Sequence, residues 1–193
     1  MTHYFIAAAI LLLLMGSGQP ASATNFPAIG GSGDATAVDR CPPGMYLVGL
    51  KGRKGVWIDQ VQIVCAPVTP AVYGAGFDPN PVSGGTGRKW YGPIRGGNGG
   101  APVENGCWTG EVVTTAGFWI SPSKQVISIY LPCSPVGTHA IGRSEAGFEG
   151  SRTAMGATEL ANTSCPAGET ATGFTIRYGK AVNAMGLICE HRP

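Results

Sequence analysis

A chain of 193 residues with 31 glycines and 15 prolines, yet 44% hydrophobic residues, has many turns and a real core. Its formal net charge is +2 at pH 7, from few and scattered charges, which leaves no electrostatic footprint for nucleic acid. The six cysteines lack the C-x-x-C spacing of a metal site, and no H-x-x-x-H pair accompanies them, so no metal and no cofactor are expected.

The chain opens on an unbroken apolar run, Phe5 to Met15, too short to span a bilayer as a helix. Gly16 to Pro20 and the A-x-A pattern Ala21-Ser22-Ala23 follow it. Residues 1–23 therefore read as a cleaved secretory signal, although Met1-Thr2-His3-Tyr4 carries no Lys or Arg. Cleavage near Thr24 leaves a single domain, 24–193, large enough to bury roughly 70% of its unfolded surface. No second apolar stretch is long enough to cross a membrane. The expected location is secreted or periplasmic, where six cysteines form disulfides.

No window of 12 or more residues has a convincing helical period; short alternating runs bounded by Gly, Pro, Asn and Ser recur instead. Cys41 to Cys65 and Cys165 to Cys189 share one 25-residue frame without a gap. Both cysteines, Pro42/Pro166, Gly44/Gly168, Gly49/Gly173, Arg53/Arg177 and Gly55/Gly179 are identical between them. Cys107 to Cys133 is a weaker copy, two residues longer, that keeps Gly110 three places after its first cysteine. Three repeats follow, at about 24–67, 90–134 and 138–190.

Each copy ends in alternation. Val61, Ile63 and Cys65 share one face; Ile129, Leu131, Cys133 and Met185, Leu187, Cys189 repeat the pattern. The preceding runs, Met45–Leu50, Val112–Thr115 and Thr170–Ile176, are strand-like too. Gly52-Arg53-Lys54-Gly55, Ser121-Pro122-Ser123 and Arg177-Tyr178-Gly179 have turn compositions. A hairpin closed at residue 53 or 177 sets its two cysteines opposite one another, within bonding range. The expected bridges are Cys41–Cys65, Cys107–Cys133 and Cys165–Cys189. Glycine loops precede the hairpins: Ile29 to Gly33, Arg95 to Gly100, and a degenerate Ile141 to Gly147. The repeat unit thus reads as glycine loop, outer strands, disulfide hairpin. Three such sheets around a shared core make an all-β prism with pseudo-threefold symmetry. Tyr73 to Arg88 reads as an inserted surface loop.

Two segments carry a resemblance. Tyr91-Gly92-Pro93-Ile94-Arg95-Gly96-Gly97-Asn98-Gly99-Gly100 resembles the opening of jacalin-related lectins, and Gly52 to Val61 resembles their closing Gly-Arg-x-Gly-x-x-x-Asp-x-Ile segment. The resemblance implies the β-prism I fold, three Greek-key sheets, with sugar held at the Gly-x-x-x-Asp loop beside the glycine loop. The two motifs stand in reversed order, as in a circularly shifted prism, and the cysteines are not usual in the plant lectins. Six places before the closing cysteine, the family's acidic position is Asp59, then Ile127, then Asn183.

The resemblance assigns a carbohydrate site to Gly55, Val56, Trp57, Ile58 and Asp59 with Gly96, Gly97, Asn98, Gly99 and Gly100. A second candidate site is Gly179 and Asn183 with Gly30 and Gly31. Arg53 and Arg177 are expected to brace turns through backbone carbonyls. No catalytic constellation accompanies these residues: G-x-S-x-G, H-E-x-x-H and a P-loop are absent, and acids are sparse. The expected function is a secreted, non-enzymatic lectin-like protein whose partners are glycans or glycoconjugates, with homo-oligomers raising avidity. The alternative is a cell-envelope structural or protein-interaction module on the same scaffold. An open notch around Asp59 favours the first; an Asp59 buried in its own turn favours the second.

Overall fold

The computed structural model describes residues 23–68, 89–138, 140, 142, 144–151 and 159–192, the side chain of 159 apart. The signal reading, up to residue 22, and the surface-loop reading of 73–88 lie outside the described residues. Among the described residues all regular structure is strand: β1 (Ala23–Asn25), β2 (Ile29–Gly30), β3 (Ala35–Arg40), β4 (Tyr46–Lys54) and β5 (Ile58–Ala66). Then come β6 (Trp90–Tyr91), β7 (Arg95–Gly96), β8 (Ala101–Gly106), β9 (Glu111–Val113), β10 (Thr115–Ile120) and β11 (Val126–Pro135). The chain closes with β12 (Glu145–Glu149), β13 (Glu159–Ser164), β14 (Glu169–Tyr178) and β15 (Val182–His191).

Three antiparallel sheets form the walls of a prism. Sheet I runs β1-β15-β14-β3 with β2 on β15; sheet II runs β6-β5-β4-β8 with β7 on β5; sheet III runs β12-β11-β10-β13 with β9 on β11. A repeated hairpin is the centre of each wall, and its long strands give each sheet one apolar face. Val61, Ile63, Ile129, Leu131, Met185 and Leu187 are all buried in one shared core, as their alternation requires. Phe118 and Phe174 meet edge to face there, 6.4 Å apart. A smaller apolar cluster of Tyr46, Val48, Val64, Ala66 and Val112 explains why Val64 is also buried.

The three expected disulfides are formed, with Cα–Cα separations of 5.7, 5.7 and 5.6 Å. Their placement corrects the hairpin reading. Cys65 faces Leu47 in the ladder, not Cys41. Cys41 follows β3 and donates its N–H to Thr172 of sheet I at 2.7 Å, so its bridge to Cys65 joins sheets I and II. Cys107 likewise hangs from Val48 of sheet II and bridges to sheet III; Cys165 hangs from Thr114, beside β10, and bridges to sheet I. Each bond clamps one wall to the next, and together they close the ring.

Three further expectations shift. The structural unit is a hairpin followed by its outer strands, so sheet I unites the C-terminal hairpin with β1, β2 and β3. Because Leu47 and Ala171 take the places expected of Cys41 and Cys165, the turns move on to residues 55–57 and 179–181. The third glycine loop is not Ile141 to Gly147, because Gly147 lies in β12 opposite Tyr130. Gly150 takes that role: its N–H bonds Ile127 O, as Gly97 bonds Asp59 O and Gly31 bonds Asn183 O.

Candidate functional site

The hairpin turns and glycine loops of all three walls meet at one end of the prism. The loop of sheet I leans on the turn of sheet III, where a methyl group on Gly31 would stand 2.9 Å from Lys124 O. The loop of sheet II leans on the turn of sheet I, with Gly97 against Lys180 O. The loop of sheet III leans on the turn of sheet II, where Ser151 N–H bonds Val56 O at 3.2 Å. Only backbone without side chains packs this closely, which is why the loops are glycine-rich.

Asp59 stands where β5 enters this apex, and Gly96–Gly100 passes beside it. Gly96 pairs with Gln60, and Gln60 Nε2 donates to Gly97 O at 2.9 Å. Arg53 grips the far side of the loop, Nε to Gly99 O at 2.8 Å and a second guanidinium nitrogen to Gly100 O at 2.7 Å. Arg53 thus braces the neighbouring loop rather than its own turn. Methyl groups on Gly99 or Gly100 would collide with the Asp59 carboxylate, and Gly100 has φ +61°. These glycines are needed for backbone to approach a side chain, not merely to turn.

Partial burial pushes the Asp59 carboxyl up; the Arg53 charge and the backbone amides of Asp59 and Gly55 pull the other way and do not fully offset it. The carboxylate is therefore steadied by its turn yet still faces a cleft of about 400 Å³. Trp57 is half-buried on the same cleft, and exposed Val56 sits at the turn tip. Asn98, Gly99 and Gly100 are exposed beside it.

Not every expected residue is available. Ile58 is fully buried and belongs to the core, because β5 has already begun there. The Gly55 and Gly97 N–H groups are engaged by Trp57 O and Asp59 O, and the Gly31 N–H by Asn183 O. Trp57 is the tryptophan among the residues lining the cleft. The second candidate set does come together: Gly30 pairs with Ala184, and Gly179 and Asn183 line the same cleft as Asp59. The resemblance treats the two sets as separate sites, one for each hairpin. Ser32, Asp34, Gln125 and Lys180 also line it and belong to neither expected set.

No family model matches the sequence, and no characterised relative matches it by sequence. Solved structures do match. Wild-type Malaysian banana lectin aligns over 89% of this chain and 100% of its own, at TM-score 0.60 and 18% identity. The fold is that of jacalin-related lectins. A mannose-binding jacalin-related lectin from Ananas comosus aligns over 88% of this chain and 99% of its own, at TM-score 0.55 and 14% identity. Artocarpin, solved with mannotriose, aligns over 89% and 98%, at TM-score 0.59 and 12% identity. The β-prism thus stands on both topology and comparison and the three bridges on the structure itself, and no helix among the described residues is long and apolar enough to cross a membrane.

Proposed function

We propose that this chain is an exported, non-catalytic carbohydrate-binding protein that holds a glycan at the apex cleft through Asp59. The observation that carries the reading is the approach of the Gly96–Gly100 backbone to the Asp59 carboxylate beside an open cleft. A sugar ring offers adjacent hydroxyl donors, and a carboxylate accepts from two of them in charge-assisted hydrogen bonds. Trp57 supplies an aromatic surface beside that acceptor. Mannose-binding and mannotriose-bound relatives of the same fold support the ligand class. The apolar leader pattern at the N-terminal end of the sequence and the three disulfides fit a secreted or periplasmic protein. Ile127 at the corresponding position of sheet III offers no acceptor, so that face of the apex is excluded.

A glycan array on the oxidised protein, wild type against Asp59→Ala, tests the reading. Specific wild-type signals that the variant loses, with the bound glycans recovered uncleaved, support it. Signals that survive the substitution remove Asp59 from the site. An array silent for both proteins leaves the interaction-module alternative in its place.

A further inference from the structure

The second candidate set has an amide, Asn183, at the position of Asp59, yet its notch is not without a carboxylate. The ladders fix the correspondence. Ala101 pairs with Lys54 and Ala35 with Tyr178, at equivalent rungs of sheets II and I. Asp34 therefore occupies the place of Gly100. In the first notch the Asp59 carboxylate lies over the turn glycine: a methyl group on Gly55 would be 3.3 Å from its Oδ2. In the second, Gly179 is the counterpart of Gly55, and a methyl group there would collide with Oδ2 of Asp34. Both notches thus set one carboxylate above the same backbone position. In one it descends from the hairpin; in the other it reaches across from the glycine loop.

The exchange is reciprocal. A methyl group on Gly100 would stand 2.6 Å from Asp59 Oδ2, so an acid from the loop has no room where the hairpin supplies one. Where the loop supplies the acid, position 183 carries an uncharged amide. Two carboxylates this close would each disfavour the ionised form of the other. Each notch keeps a single acceptor. Asp34 is exposed, and it lines the cleft with Gly179, Lys180 and Asn183, opposite Asp59 and Trp57. The two notches share a wall, because Gly97 of the first packs on Lys180 of the second. A cleft of about 400 Å³ falls within the usual range for small-ligand sites, roughly 300–1,000 Å³.

We propose that Asp34 is the hydroxyl acceptor of a second subsite in the apex cleft, for a neutral sugar ring with adjacent hydroxyls. The subsite rests on the reading of the cleft as a carbohydrate site, and the two are separable by experiment. Amide chemical shifts of the ¹⁵N-labelled, oxidised protein are followed while methyl glycosides of mannose, glucose, galactose and N-acetylglucosamine are added in turn. With at least one of them, two groups of amides shift: Val56, Trp57, Gly99 and Gly100, and separately Ser32, Gly33, Lys180 and Ala181. Asp34→Asn abolishes the second response and leaves the first; Asp59→Asn does the converse. Asp34→Gly, which copies the loop of the first notch, also abolishes the second response. Unchanged spectra away from the apex show that the variants are folded. If only the first group responds in the wild type, or the second survives both Asp34 substitutions, the subsite is refuted while the Asp59 site stands. If neither group responds to any glycoside, both fall together.

Discussion

Arg95→Ala should be among the most damaging single substitutions in the molecule, and more damaging than removal of its partner. Arg95 lies in β7, one residue before the glycine loop, and reaches from sheet II to Asp39 on β3 of sheet I. The pair is bidentate, at 2.9 and 2.6 Å, with Tyr178 Oη accepting a third bond at 3.3 Å. The Asp39 side chain is only 3% exposed, whereas that of Arg95 is 22% exposed. Without Arg95, a buried carboxylate is left with no counter-charge, which costs about 3–5 kcal/mol. Without Asp39, the guanidinium keeps its Tyr178 ring contact and has solvent within reach. Asp39→Asn should therefore cost about 1.5–3 kcal/mol, the range for one lost charge-assisted bond. Urea unfolding of the oxidised protein, with the double variant to complete the cycle, measures both. A cost below about 1 kcal/mol for Arg95→Ala is what an exposed ion pair gives. That result, or Asp39→Asn proving the worse of the two, would refute the argument from burial.

Arg53→Lys removes the two-pronged grip on Gly99 O and Gly100 O. It should weaken glycan binding by about 1 kcal/mol, roughly five-fold in Kd, with little change in unfolding midpoint. Replacing Cys41 and Cys65 together with serine should cost about 3.5 kcal/mol, from chain entropy over a sequence separation of 24. All six cysteines are buried, so thiol titration should find the bridges resistant to reductant until urea is added. Asp59 has a raised pKa, so its ionised form is disfavoured in the folded chain. Its charge opposes folding above that pKa, and the penalty fades as pH falls through it. Asp59→Asn should therefore raise the unfolding midpoint slightly at pH 7, and the gain should vanish in acid. Wild-type glycan affinity should fall on acidification as the pH drops through the raised pKa of Asp59.

The architecture was legible because it is written three times. Alternation ending in cysteine placed Val61, Ile63 and their counterparts in the core, and the repeat chose the bridges among fifteen pairings. What the bridges join was not legible. The strand before each first cysteine belongs to the preceding wall, and only the ladder between β3 and β14 shows that Cys41 hangs from sheet I. The site was half legible. Gly-x-x-x-Asp and the glycine loop marked Asp59 and Gly96–Gly100, and the structure brings them into contact. Ile58 was misplaced because a motif does not reveal where its strand begins. Asp34 was missed because it breaks the repeat: a carboxylate on the opposite loop has no counterpart to be compared with. The turns centre three residues beyond the midpoints between cysteines because Leu47 and Ala171, not Cys41 and Cys165, face the closing cysteines across the ladders.

A crystal of the oxidised protein, soaked with the strongest glycan from the array, bears on the cleft without an intervening inference. The expected density is a sugar ring beside Trp57 with two hydroxyls on the Asp59 carboxylate. A glycan seated elsewhere on the prism, with the apex cleft empty at saturating concentration, would contradict it.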